Sequence, residues 1–231
     1  MGGRAAQGSA AAGRAAVVSG RYSIFFEGVA CGEDRWRIES HGQGHAVTGE
    51  QVTFPPHPFP SRQEYRVTLD ADWRPLTLEI VWTVRDRTLR ALHAAGGGTW
   101  HVRIEHQGHV REQQGDFPNF CEVEYDTPLF SAFVLARRDF GLGGEHEFPV
   151  LRIGPPLMAV TPDRMRYRCV AHGTYETPYG PVKAKRYEAV PPDRPGEGYA
   201  FWADEEGFVL ESYEGLDTTR PWMKLIALER A

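Results

Sequence analysis

The sequence predicts an all-β fold, a single curled antiparallel β-roll or half-open barrel with a hydrophobic concave cavity and little helix. Strand-like alternation of apolar and polar residues is common along the chain, whereas helical periodicity is scarce. Turn-forming residues recur at short intervals, with 25 glycines and 17 prolines among 231 residues. A continuous antiparallel sheet of this size must curl or close, because a large open sheet leaves unpaired edges.

The first 20 residues differ from the rest of the chain. Residues 1–20 are rich in alanine and glycine and lack an apolar periodic face, so we predict a disordered tail at 1–20 and one β-roll domain at 21–231. A weak alanine-rich helix over residues 8–18 is the alternative. The apolar residues of this segment are too weak for a secretion signal, and no apolar run approaches the roughly 20 residues that cross a bilayer.

Several segments show the period of two that is typical of strands. They are residues 66–69, 76–84, 101–105 and 120–125. Turn residues separate predicted strands at 70–75, 96–98, 177–181 and 204–207. The spacing of about 8–12 residues between turns favours a meander of neighbouring antiparallel strands.

Two kinds of segment leave alternatives open. Residues 129–140 are apolar on both faces, which fits either a strand buried on both sides or a short helix that plugs the roll. The proline-rich residues 54–60 form a long loop, either a rigid polyproline-type connector or a lid over the mouth of the cavity. A second long loop is predicted at 190–198.

An ordered set of motifs links the chain to a known family. It comprises residues 65–74, then Gly98-Thr99-Trp100, then residues 122–126 running into Thr127-Pro128. This order resembles the bacterial putative glycolipid-binding family. The resemblance implies a curled antiparallel β-roll, with Arg137 and Arg138 at the family's paired arginines. Residues 175–184 and 201–210 resemble uncharacterised proteins related to lipoprotein-carrier half-barrels.

Aromatic side chains with a polar tip are candidates for the cavity wall because several occur together in a fold that tends to be hollow, although for each one alone core filling is the more common role. The predicted ligand-binding residues are Trp36, Tyr65, Trp82, Trp100, Tyr125, Arg137, Arg166, Tyr167, Tyr187 and Trp202. If the strands that carry Trp82 and Trp100 form a hairpin across the glycines at 96–98, the two indoles share one face.

Glu122, Glu124 and Asp126 are predicted to share one face of a strand. If that face lines the cavity, repulsion between the carboxylates raises a pKa and creates a general acid or base. Arg137, Arg166 or His101 would then complete the acid–base pair. If the face meets solvent, the same residues form a plain polar surface.

Composition narrows the partners and the compartment. The formal charge of −5 includes no strongly basic segment, so we predict no nucleic-acid partner. The nine histidines lack a zinc-site spacing, and no cofactor motif occurs, so no metal or cofactor is predicted. Three cysteines cannot pair fully within the chain, which favours a cytoplasmic protein.

The sequence therefore favours a cytoplasmic binding protein for an apolar or amphipathic small molecule, lipid-like or polyketide-like, acting as a monomer or homodimer. The alternative is a cofactor-independent cyclase, isomerase or hydratase that uses a carboxylic acid in the cavity as general acid or base.

Overall fold

The computed structural model describes residues 17–117, 121–138, 140–155 and 157–231. Over these residues the chain forms 15 strands, one α-helix and one short 3-10 helix, which confirms the predicted all-β fold with little helix. The strands are β1 Val17–Phe26, β2 Val29–His41, β3 Gly44–Thr53, β4 Arg62–Asp70, β5 Pro75–Val84, β6 Arg87–Gly96, β7 Thr99–His106, β8 His109–Asp116, β9 Glu122–Glu124, β10 Glu145–Gly154, β11 Ala159–Thr177, β12 Gly180–Val190, β13 Tyr199–Asp204, β14 Val209–Tyr213 and β15 Pro221–Arg230. Helix α1 spans Leu129–Arg137, and the 3-10 turn spans Pro195–Glu197.

All 15 strands belong to one curled sheet. Its order is β8-β7-β6-β5-β4-β3-β2-β1-β15-β14-β13-β12-β11-β10-β9. Each strand pairs antiparallel with its neighbour, except that the short β9 runs parallel to β10. The first and last strands of the chain pair with each other, so β1 and β15 join the two halves of the meander.

The curl brings the two halves of the sheet together. His93 Nε2 on β6 lies 3.0 Å from the carbonyl oxygen of Met158, just before β11. The backbone N–H of Val160 donates to Gln113 Oε1 on β8 at 3.3 Å. The sheet therefore encloses an interior.

Helix α1 fills part of this interior. Leu129, Phe130 and Phe133 pack in the larger of two hydrophobic clusters, while Val134 packs in the smaller one. Because both sides of the helix are buried, its sequence is apolar all round. Of the two alternatives for residues 129–140, the structure shows the helix.

Two sequence predictions need correction. The predicted tail ended at residue 20, but β1 begins at Val17 and residues 17–20 pair with β2 and β15; residues 1–16 lie outside the described residues. The sequence interpretation also missed β6. Trp82 on β5 pairs with Leu89, and Trp100 on β7 pairs with Ala95, so β6 separates the two indoles.

The proline-rich loop is fixed to the strands beside it. The N–H of Phe54 donates to the carbonyl of Cys31 at 2.8 Å, and Thr53 Oγ1 donates to the carbonyl of Phe59 at 3.0 Å. Residues of this loop border a pocket of about 80 Å³, which shares Asp126 and Pro155 with the larger cavity described below. These contacts favour a connector over a lid.

Candidate functional site

A cavity of about 780 Å³ opens where the segment between β9 and α1 faces strands β10, β13 and β14. This volume lies within the range of small-molecule binding sites. The apolar residues that border it include Phe130, Ile153, Leu157, Phe201, Val209 and Trp222. These side chains provide a surface on which an apolar group can be removed from water.

Charged side chains form a connected chain along the same cavity. Arg152 Nε lies 2.9 Å from Glu124 Oε2, and Arg152 Nη1 donates to Asp163 Oδ2 at 3.2 Å. Arg194 Nη2 donates to the same oxygen of Asp163, and Arg194 Nη1 lies 3.1 Å from Glu197 Oε2. Acceptors and donors therefore alternate along the border of the cavity.

Three hydroxyl groups extend this polar chain. The hydroxyl oxygens of Tyr167 and Tyr199 lie 2.9 Å apart, and Ser131 Oγ lies 3.1 Å from the first and 3.3 Å from the second. Tyr199 also interacts with Glu124 and lowers its pKa against the larger, raising effect of burial. Ser131 and Tyr199 border the cavity, so their hydroxyls are placed to meet a polar group of a ligand.

The carboxyl groups at the cavity differ in acidity. Burial raises the pKa of Glu124, against the opposing charge of Arg152. Burial also raises the pKa of Asp126 to about 6, with His57 opposing the shift. For Asp163, burial is outweighed by hydrogen bonds from the Arg164 backbone and the two arginines, and its pKa is lowered. Asp163 is therefore ionised throughout the physiological range, whereas Asp126 titrates just below it.

Two buried groups hold the segment that forms the cavity border. Glu122, 3% exposed, pairs with Arg137, and its Oε1 lies 2.9 Å from Arg138 Nη2. Asp34, fully buried on β2, accepts hydrogen bonds of 2.8 Å from both Thr127 Oγ1 and Tyr65 OH. Glu122 thus fixes the end of α1, and Asp34 fixes its beginning.

The structure separates the predicted catalytic residues. Glu124 and Asp126 border the cavity, whereas Glu122 faces the helix and pairs with Arg137. His101 lies on the exposed face of β7. The three carboxylates therefore do not share one environment, because the strand ends at Glu124 and the chain turns towards α1.

Three of the predicted ligand-binding aromatics lie flat over glycines of a neighbouring strand. Trp36 covers Gly20, Tyr65 covers Gly49, and Trp100 covers Gly115; a Cβ atom at these glycines would lie within 2.8 Å of the ring. Each ring is thereby held against the sheet. Trp100 borders a void of about 20 Å³, and Trp82 borders the pocket of about 80 Å³.

The other predicted ligand-binding residues are divided between the cavity and its surroundings. Tyr125 borders the cavity and donates to Gln63, and Tyr167 lies behind Tyr199. Tyr187 stacks on Phe201 with ring centroids 5.2 Å apart. Of the remaining three residues, Arg137 lies on α1. Arg166 lies on β11 between Met165 and Tyr167. Trp202 lies on β13 against Tyr175.

Sequence reasoning missed the charged residues that border the cavity. Arg152 and Asp163 lie diagonally across the β10–β11 hairpin, where Arg152 pairs with Thr161. That register would have indicated the contact, had the hairpin turn been identified. Arg194 comes from the loop before β13, and no local pattern marks it.

The described residues also bear on metal binding and on membrane crossing. Over these parts of the chain, no group of three or more His, Cys, Asp or Glu side chains is arranged to hold a metal ion. Within the same ranges, no helix has the length and apolar character needed to cross a membrane.

The curled sheet with its open-sided cavity defines a class of β-roll, barrel-like protein. Within that class, the chain belongs to the family described as Putative glycolipid-binding, which matches residues 30–216. The family match confirms the resemblance carried by the sequence motifs. No curated protein matches the chain significantly.

Two solved structures share the fold. A β-barrel-like protein of the domain of unknown function DUF1849 from Brucella abortus has a TM-score of 0.58 and 11% identity, covering 94% of this chain and 99% of its own. A DUF1089 family protein from Pseudomonas aeruginosa has a TM-score of 0.52 and 14% identity, covering 81% of this chain and 91% of its own. At these identities the similarity is one of fold.

Proposed function

We propose that this protein binds an amphipathic, lipid-like small molecule in the 780 Å³ cavity. The observation that carries the proposal is that apolar side chains and a connected chain of charged and hydroxyl groups border the same space. An amphiphile matches both features, because its apolar part gains from burial and its polar part needs hydrogen-bonding partners. The family description supports the same ligand class.

The cavity assigns a different role to each group of residues. Phe130, Phe201 and Trp222 offer contacts to an apolar chain, while Arg152 and Tyr199 offer hydrogen bonds to a polar headgroup.

Two exposed leucines provide a matched test. Leu157 borders the cavity and is 61% exposed, whereas Leu142 is 64% exposed and lies away from it. Leu157→Asp should weaken binding of N-phenylnaphthylamine, an uncharged apolar fluorophore, about fivefold, because part of the apolar contact is lost. Leu142→Asp should leave the affinity unchanged, and both variants should keep the melting temperature. Equal affinities for both variants and the wild type would contradict the proposed site.

We place the protein in the cytoplasm. Cys31, Cys121 and Cys169 are all buried free thiols. Unpaired cysteines are typical of proteins in a reducing compartment.

A second candidate function is that of a cofactor-independent cyclase, isomerase or hydratase. The observation in its favour is that Asp126, whose pKa burial raises to about 6, borders the cavity. Such a group can hold and deliver a proton near neutral pH. In deuterium oxide, the wild type would then add deuterium to carbon in any small molecule that copurifies with it, and Asp126→Asn would bind that molecule without exchange. No incorporation by the wild type would leave binding as the only function.

A further inference from the structure

The border of the cavity has an excess of negative charge. Five carboxylate residues border it, against two arginines. The carboxylate residues are Glu124, Asp126, Asp163, Glu197 and Glu214. The formal excess is three negative charges when all five are ionised. The excess carboxylates would repel an anionic headgroup placed there. The repulsion is strong because the protein surroundings screen charge less well than water does.

Neither arginine is free to offset this repulsion. Arg152 is held between Glu124 and Asp163, and Arg194 is held between Asp163 and Glu197. Asp163 is the shared partner, because its Oδ2 atom accepts from both guanidinium groups. A phosphate, sulfate or carboxylate headgroup would have to displace a carboxylate that is already in place.

We propose that the cavity selects amphiphiles with an uncharged, polyhydroxylated headgroup and rejects anionic ones, and that Asp163 determines this selectivity. The proposal rests on the proposed binding function and specifies its ligand class. The arrangement suits hydroxyl groups because each one both donates and accepts. One ligand hydroxyl can donate to a carboxylate and accept from the neighbouring guanidinium.

A cationic headgroup is less well matched than a neutral one. It offers donors only, so it would satisfy the carboxylates but could not accept hydrogen bonds from the guanidinium and hydroxyl groups at the same border. Ser131 and Tyr199 add hydroxyls that can exchange hydrogen bonds with a sugar in either direction. The headgroup class that uses all of these partners is therefore a neutral glycoside.

The test compares three amphiphiles that share a dodecyl chain and differ in headgroup charge. Dodecyl maltoside, dodecyl phosphate and dodecylammonium compete with N-phenylnaphthylamine below their critical micelle concentrations. We expect the maltoside to bind at least about tenfold more tightly than the phosphate, and more tightly than the ammonium compound. Tighter binding of either charged amphiphile would overturn the proposed selectivity. If none of the three displaces the dye, the proposed binding function fails instead.

Asp163→Asn tests the residue that is proposed to set the selectivity. Removing the shared carboxylate should strengthen dodecyl phosphate binding about tenfold relative to dodecyl maltoside binding to the same variant. A gain in affinity cannot arise from unfolding. The matched control is Asp193→Asn, which removes an exposed carboxylate beside Arg194 and away from the cavity border.

Glu197→Gln covers the case in which Asp163→Asn does not fold. The Glu197 side chain is 54% exposed, so the substitution does not disturb the core but removes one partner of Arg194. We expect a smaller gain in phosphate binding, about threefold, than for Asp163→Asn. The decisive variants are Asp163→Asn and Glu197→Gln, whichever of them folds. If their affinity for dodecyl phosphate equals that of the wild type, these carboxylates do not set the selectivity.

Discussion

The anchoring of helix α1 by Glu122 leads to a sharp prediction about stability. Glu122 lies at the start of β9, and its carboxylate pairs with both arginines at the end of the helix. The Glu122 side chain is 4% exposed, and those of Arg137 and Arg138 are 11% and 25% exposed. Glu122→Gln keeps the shape of the side chain but leaves two guanidinium groups without their counterion.

The expected cost follows from this burial. Removing one partner of a buried ion pair costs about 3–5 kcal/mol, because the remaining charge stays desolvated. Since Arg138 is a quarter exposed and regains water, we expect the lower end, about 3 kcal/mol. For a chain of this length that loss corresponds to a decrease in melting temperature of about 6–12 °C.

The measurement is urea unfolding monitored by tryptophan fluorescence, with Glu112→Gln as the control. Glu112 pairs with Arg103 at 3.3 Å, but both side chains are more than half exposed. An exposed pair of this kind contributes less than about 1 kcal/mol. If Glu122→Gln and Glu112→Gln lower the midpoint equally at an unchanged slope, the anchoring role of Glu122 is refuted.

Three further predictions concern the core, the first strand and pH. Trp82→Ala should cost about 3–5 kcal/mol of unfolding free energy and leave dye affinity unchanged, because Trp82 packs in the core and does not border the large cavity. Weaker dye binding at full stability would contradict this. A chain beginning at Arg21 should melt lower than one beginning at Val17, because residues 17–20 pair with β2 and β15; equal melting would show that these pairs add nothing. Burial raises the pKa of Asp34 to about 7, whereas an unfolded aspartate titrates near 4. The folded chain then holds the extra proton, so this group makes unfolding free energy fall as pH rises from about 4 to about 7, and Asp34→Asn should flatten that slope; an unchanged slope in urea titrations would contradict it.

The strands were predictable because their signal is local. In β5 the buried residues Leu78, Ile80 and Trp82 alternate with more accessible ones, as the sequence predicts. The same alternation marks Leu89, Ala91 and His93 in β6. That strand was missed because alanine and histidine carry weak strand propensity.

The helix could not be assigned from periodicity. A helix on the surface shows an apolar stripe, whereas α1 has apolar residues on both sides because both are buried. Length alone could not separate it from a buried strand. The family resemblance indicated the paired arginines, but only the structure shows that they bind Glu122.

The location of the cavity depends on contacts that no local pattern contains. Arg152, Asp163 and Arg194 come from two strands and a loop, and they meet because the β10–β11 hairpin and the turn before β13 bring them together. The large aromatics indicated a hollow fold. Their position was not predictable, since it depends on which glycine lies opposite each ring.

The rings that lie over glycines and the charged residues beside α1 together explain why the cavity lies where it does. Along β1 to β8, rings such as Trp36 and Tyr65 lie over glycines and fill the interior, and the buried Asp34 has its hydrogen-bond partners within the chain. Beside α1, by contrast, the interior meets Arg152 and Asp163, which cannot be sealed in an apolar core without a large desolvation cost. Their charges need water or a polar group next to them, so the space stays open. A ligand that enters must replace that water with hydrogen bonds, which makes the headgroup the part of the ligand that the cavity can discriminate.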